Sequence, residues 1–227
     1  MRIVSLVPSV TETLLAWGIV PVGCTRFCEQ PDLHHVGGTK DPDLDGIVRL
    51  RPDLVVMDRE ENRRDDADAL SAQGIALHIT HVVSVDDVAT MLQSLCAAVG
   101  NPVAETWAGP GDVATTIRRT AFMPIWRRPW MTVNADTYGS SMLRACGIDS
   151  AYADAPDRYP EVTLDDAAGR RPDLVVLPSE PYPFTERHVA EASQVSLDVR
   201  LVDGRDLFWW GVRTPGAIER LAAALAG

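Results

Sequence analysis

Cys24, Cys28, His34 and His35 fall in one short stretch with the spacing C-x3-C-x5-H-H. Thiolate and imidazole are the ligands that zinc and other soft transition metals prefer. The spacing is not that of a zinc finger. Cys24 ends the apolar run "PVGCT" and is expected to point into a sheet, which leaves Cys28, His34 and His35 as the metal candidates. The alternative is a surface loop holding an ordinary cysteine and two solvated histidines.

A second group of reactive side chains follows two apolar runs. "DREENRRDD" comes directly after "DLVVM", and "PSEPYPF" after "DLVVL". Open α/β sheets bind ligands just beyond the carboxyl ends of their strands. That rule makes Asp58, Glu60, Glu61, Asn62, Glu180 and Tyr182 candidate ligand contacts. Solvated acids favoured by a helix dipole are the competing reading for the glutamates. A third group is Trp209, Trp210 and Arg213 in "LFWWGVRTP". Neighbouring side chains of a strand alternate, so both tryptophans cannot enter one core, and stacking on a ligand is expected of at least one. No nucleophile elbow, P-loop or H-E-x-x-H motif occurs, and "GGTK" lacks the glycine spacing of a phosphate loop.

The elements that must position these groups repeat. "LDGIVRLRPDLVV" from Leu44 and "LDDAAGRRPDLVV" from Leu164 share one frame, offset by 120 residues. Each reads as a short helix followed by a strand buried on both faces. Around them, strands such as "RIVSL", "IALHIT", "PWMTVN" and "VRLV" alternate with helices, which implies parallel α/β sheets with right-handed crossovers. Ser9 and Glu12 form an S-x-x-E pattern, expected to cap the first helix. The expected organisation is an α/β lobe over 1–101, a bridging helical segment over 102–121 interrupted by Gly109-Pro110-Gly111, and a second α/β lobe over 122–227. Gly18 and Pro52 lie 34 positions apart, whereas Gly147 and Pro172 lie 25 apart, so the extra residues fall in the loop that holds Cys28 and His34.

Composition narrows the function. A core-forming 46% of hydrophobic residues comes with a net charge of -11, which argues against nucleic acid as a partner. No apolar stretch is long enough to span a membrane. The first residues lack an unbroken apolar segment with a cleavage site, and the four cysteines are too few for a disulfide scaffold, so a cytoplasmic location is expected.

The ordered set "SLVPSVTETLLAWG", "PVGCTRFCEQP", "GTKDPDLDGIVRLRPDLVV", "ADTYGSSMLRACG" and "LFWWGVRTP" resembles the helical-backbone metal receptor superfamily. These are the class III substrate-binding proteins of cobalamin, siderophore and haem importers, and the cobalamin-binding branch is the most similar. The resemblance implies two Rossmann-like lobes joined by a bridging helix, with a cobalamin-like or other metal chelate in the cleft between them. It implies a lining of Phe27, Tyr138, Tyr159, Trp209 and Trp210. Lys40 and Asp58 stand where that branch places tryptophan, so the first lobe's share of the lining is polar here. It also implies that Asp45 and Asp165 dock onto arginines of an ABC permease, if the protein is exported; first-turn helix acids are the plainer reading. Two alternatives stay beside a retained binding protein: a metal-dependent cytoplasmic enzyme using the same cleft, and an importer component whose signal lies upstream.

Overall fold

The computed structural model describes residues 1–100, 109 and 116–226. It divides into two compact units, the first built from residues 1–82, 87–100 and 210–212, the second from residues 83–86, 116–209 and 213–226.

In the first unit β1 (Ile3–Ser5), α1 (Pro8–Ala16), β2 (Gly23–Cys24), α2 (Leu44–Arg49), β3 (Leu54–Asp58), α3 (Arg64–Ala72), β4 (Ala76–Thr80) and α4 (Val85–Ala98) follow one another, α4 starting in the second unit's share of the chain. The strands form one parallel sheet in the order β2-β1-β3-β4. In the second unit the order is β5 (Arg119–Phe122), β6 (Trp130–Met131), α5 (Tyr138–Ala145), β7 (Ile148–Ser150), β8 (Glu161–Val162), α6 (Leu164–Gly169), β9 (Leu174–Pro178), a 3-10 turn at Glu186–His188, α7 (Val189–Ala192), β10 (Val199–Val202), α8 (Gly204–Phe208) and α9 (Thr214–Leu225). Its parallel sheet runs β10-β9-β5-β7, the same topology as the first once the strands are matched in chain order. The repeated phrase supplies α2–β3 and α6–β9, so the repeat is one structural unit used twice.

The runs "LVVM" and "LVVL" are buried as read: Val55, Val56, Val175 and Val176 are all at 0% exposure. Each buried valine is worth about 1.5–3 kcal/mol of apolar transfer. Val4, Leu6, Val36, Ile47, Met57 and Leu70 complete the first core; Phe122, Tyr152, Leu177, Phe184 and Ala192 belong to the second. The repeated aspartates also have a shared task. Asp53 accepts the backbone N–H of Arg2 at 2.6 Å, and Asp173 accepts that of Thr120 at 2.6 Å, each fastening the phrase to the start of its neighbouring strand.

Three expectations change. The predicted strand "PWMTVN" is only the two-residue β6, antiparallel to β8, and β5 takes the central place in the second sheet. Most of the predicted 102–121 bridge, including Pro110-Gly111, lies outside the described residues; its last three residues open β5 and are strand. The S-x-x-E cap does not form. Pro8 starts α1, because its fixed φ suits a first helical position and its missing N–H costs nothing there. Val7 thus becomes the N-cap, with no side chain able to cap, and Ser9 lies inside the first turn.

Candidate functional site

In both sheets the chain turns opposite ways from the first strand, so the carboxyl ends of β1 and β3, and of β5 and β9, are topological switch points where such sheets hold ligands. The candidate residues sort onto these two ends.

At the end of β3, Asp58 and Asn62 are buried and locked together. The Asp58 carboxylate accepts the backbone N–H groups of Glu60 at 2.8 Å and Glu61 at 3.3 Å, and the Thr80 hydroxyl at 2.8 Å. Asn62 accepts the Asp58 N–H at 2.7 Å and donates to the carbonyls of Leu6 at 3.2 Å and Thr39 at 3.0 Å. Lys40 donates to the Glu60 carbonyl at 2.6 Å. The polar residues found in place of tryptophan therefore close the 39–40 and 58–62 loops on one another. Glu61 stays half-buried beside them.

The metal cluster expected from Cys28, His34 and His35 is not assembled. Cys28 is 3% exposed and turned inward, with Sγ 3.2 Å from the hydroxyls of both Thr11 and Thr25. His34 and His35 are exposed, and His35 Nε2 lies 3.0 Å from the Gln30 carbonyl. Among the described residues no three His, Cys, Asp or Glu side chains are grouped to hold a metal ion. Cys24 is buried as expected. A hydrogen bond from Cys24, followed by those of Thr11 and Thr25, outweighs burial and lowers the Cys28 pKa to about 6, while the same contact and burial raise that of Cys24. The result is an inward-turned sulfur caged by two hydroxyls. Cys28→Ser should leave bound metal unchanged by elemental analysis; loss of a stoichiometric metal with this substitution would restore the metal reading.

Phe27 stands 50% exposed with the Arg26 guanidinium 4.9 Å from its ring centroid. Asp45 and Asp165 are exposed in the first turns of α2 and α6.

In the second unit the loops after β5 and β9 meet. Trp126, 46% exposed, lies edge-on to Tyr182 with ring centroids 5.6 Å apart. Tyr182 contacts Phe184 at 4.7 Å, and Phe184 stacks on Trp130 at 5.8 Å. This row joins the exposed Trp126 to the buried core around Phe122. Sequence reasoning found Tyr182 and missed Trp126. The signal was "FMPIW" (a tryptophan just past a strand end), hidden because β5 had been placed in the bridge. Glu180 is half-buried, its backbone pressed on Gly204, where an added Cβ would come within 2.5 Å of it.

His188 sits under this row, edge-on to Tyr182 and Phe184, its Nδ1 accepting the Thr185 N–H at 2.9 Å. Burial first, then the charges of Arg187 and Arg127, hold its pKa below 6.5. A histidine depressed in the folded state contributes stability that is full above its unfolded pKa and is lost as pH falls through the folded value. Wild type should therefore lose more thermal stability below pH 6.5 than His188→Gln, measured by melting at a series of pH values. Parallel curves would show that His188 does not titrate this way.

Of the remaining candidates, Tyr138 is buried with its hydroxyl 2.9 Å from that of Thr214, and burial raises its pKa. Tyr159 is 41% exposed, with Arg158 5.5 Å from its ring centroid. The two tryptophans separate as expected, although they follow a helix and not a strand: Trp210 is buried in the first unit, and Trp209 is half-buried in the second, 5.4 Å from Arg213. Arg213 also pairs with the buried Asp206 at 2.9 Å, and Arg220 joins the same carboxylate at 2.7 Å.

Two four-stranded parallel sheets of one topology, joined in one chain, define the class III periplasmic binding protein fold. A family model described as periplasmic binding protein matches residues 3–106 of the chain. It is 25% identical over 190 residues to the vitamin B12-binding protein of Salmonella choleraesuis (strain SC-B67), covering 78% of this chain and 71% of that protein. Among solved structures, the periplasmic vitamin B12-binding protein of Vibrio cholerae superposes with a TM-score of 0.81 at 19% identity, over 99% of this chain and 96% of that one. A periplasmic haem-binding protein from Pseudomonas aeruginosa gives 0.81 at 17% identity, over 98% and 91%. No helix among the described residues is long and apolar enough to cross a membrane.

Proposed function

We propose that this protein is a substrate-binding component of the ABC-importer type that holds a cobalamin- or haem-type chelate. The observation that carries this reading is the exposed Trp126 packed on the half-buried Tyr182 at the switch point of the second sheet. Rigid aromatic faces bury much area at little entropic cost, which suits a large flat macrocycle. Within the second unit Tyr159 offers a similar face beside Arg158, and the first unit carries one of its own in Phe27 beside Arg26. The vitamin B12- and haem-binding relatives support the ligand class. The metal in such a ligand belongs to the chelate, so no metal cluster in the chain is required.

Titration with cyanocobalamin and with haemin, followed by absorbance and tryptophan fluorescence, tests the proposal. One of them should bind stoichiometrically, and Trp126→Ala should weaken that binding about tenfold. Failure of both chromophores to bind would end the reading. For the permease partner we propose Asp45 and Asp165 as contacts, on the strength of their exposure and matched positions in the repeat. The double change Asp45→Arg and Asp165→Arg should abolish co-purification with a cognate permease while leaving chelate binding intact.

A further inference from the structure

Among the described residues, three hydrogen-bond donors in the first turn of α1 have no acceptor. Pro8 has no N–H, so Ser9 and Val10 carry the first two, and neither reaches a described acceptor. The Thr11 N–H is already given to the Val7 carbonyl at 2.9 Å. The third donor is the Ser9 hydroxyl, which is buried without a partner in a residue only 1% exposed. Cα–Cβ bonds tilt toward the helix N-terminus, so this hydroxyl leans to the side where the two N–H groups point. Val10 is fully buried as well. Buried polar groups almost always find partners, and orphans ask for an explanation. Serine at this place is not acting as a cap, because Pro8 has taken the start of the helix.

The position of these donors bears on ligand binding. They lie directly beyond the end of β1, beside β3, at the switch point of the first sheet. The helix dipole adds positive potential there. Asp58, the acid at the end of β3, is already satisfied by Glu60, Glu61 and Thr80. Asn62 pins the Leu6 carbonyl just ahead of the turn, so the backbone that presents the donors is held in place.

We infer that the Ser9 and Val10 N–H groups and the Ser9 hydroxyl receive one anionic oxygen of the bound ligand, from a carboxylate or a phosphate. The inference rests on the chelate-binding reading, both of whose ligand types offer such a group: haem carries two propionates and cobalamin a nucleotide phosphate. Since the turn is buried, the oxygen enters as the side chains covering it give way. No bond is made or broken; the interaction is a set of charge-assisted hydrogen bonds.

The test compares each ligand with its analogue lacking the anion: haemin with haemin dimethyl ester, and cyanocobalamin with dicyanocobinamide. The wild type should bind the anionic member of the recognised pair about tenfold more tightly, and Ser9→Ala should shrink that preference severalfold. Which pair responds identifies the carboxylate or the phosphate as the source. In parallel, inorganic phosphate at constant ionic strength should move the Ser9 and Val10 amide resonances of the wild type in a saturable way. Equal affinity for both members of the recognised pair would overturn the subsite, as would amide resonances that ignore phosphate and show only contact with a trapped water. If the wild type binds neither chromophore, the chelate reading fails, and the phosphate titration alone then decides whether the anion subsite exists.

Discussion

Asp206→Ala is expected to destabilise the second unit by about 3 kcal/mol, because it removes the buried carboxylate shared by two arginines. Asp206 is 6% exposed and lies between Arg213 and Arg220. Removing the carboxylate takes from Arg213, whose side chain is only 14% exposed, the 2.9 Å ion pair it makes there. The Arg220 side chain is 56% exposed, so its half of the network is screened by water and contributes little. Arg220→Ala should therefore cost well under 1 kcal/mol, and the contrast between the two variants is the diagnostic. In a chain of this length the Asp206→Ala loss corresponds to a fall of about 6–12 °C in thermal midpoint. Calorimetry showing equal, small effects for both would mean that the triad is ornamental. The same triad fixes Arg213 beside Trp209, so the variant should also alter the fluorescence of that indole.

The second large effect is predicted for Asn62→Leu, a change of similar volume. Three backbone groups depend on this one amide: the Asp58 N–H and the carbonyls of Leu6 and Thr39. Leaving buried backbone groups unpaired costs about 1–3 kcal/mol each, and partial relaxation brings the expected total to about 3 kcal/mol. Urea unfolding should show a lower midpoint with an unchanged slope. Asn62→Asp keeps the acceptor but turns a buried anionic oxygen onto the Leu6 and Thr39 carbonyls, so it should cost at least as much as Asn62→Leu. A loss below about 0.5 kcal/mol for Asn62→Leu would show that the loops hold without it. Because Leu6 leads into the first turn of α1, chelate affinity should drop along with stability.

Much of the scaffold was legible in the residues. The repeated "PDLVV" announced two buried parallel strands, since only burial on both faces tolerates so continuous an apolar run. β5 was not legible. Its four residues begin with Arg119 and Thr120, and its central place comes from pairing with β7 and β9, which lie far along the chain. Short strands fixed by distant partners leave little local trace. The start of α1 could have been read correctly, because a proline before serine favours a first helical position over a cap. At the candidate site, residue type and position past a strand pointed to Tyr182, but nothing local distinguished Cys28 as an inward-facing thiol. Spacing alone cannot report which way a loop side chain turns. Asp58 and Asn62 were found by the strand-end rule, while their commitment to the backbone needed the fold.

Asp53 and Asp173 fasten the amino-terminal edge of each sheet in the same manner, whereas the opposite edges have nothing in common. One carries a polar knot around Asp58, the other an aromatic row ending at Trp126. The anchors and the two strand-end clusters are therefore written in separate segments of the chain. A designer could exchange residues 58–62 or 124–130 with those of a relative, leave both aspartate anchors untouched, and expect a folded protein with altered taste in ligands.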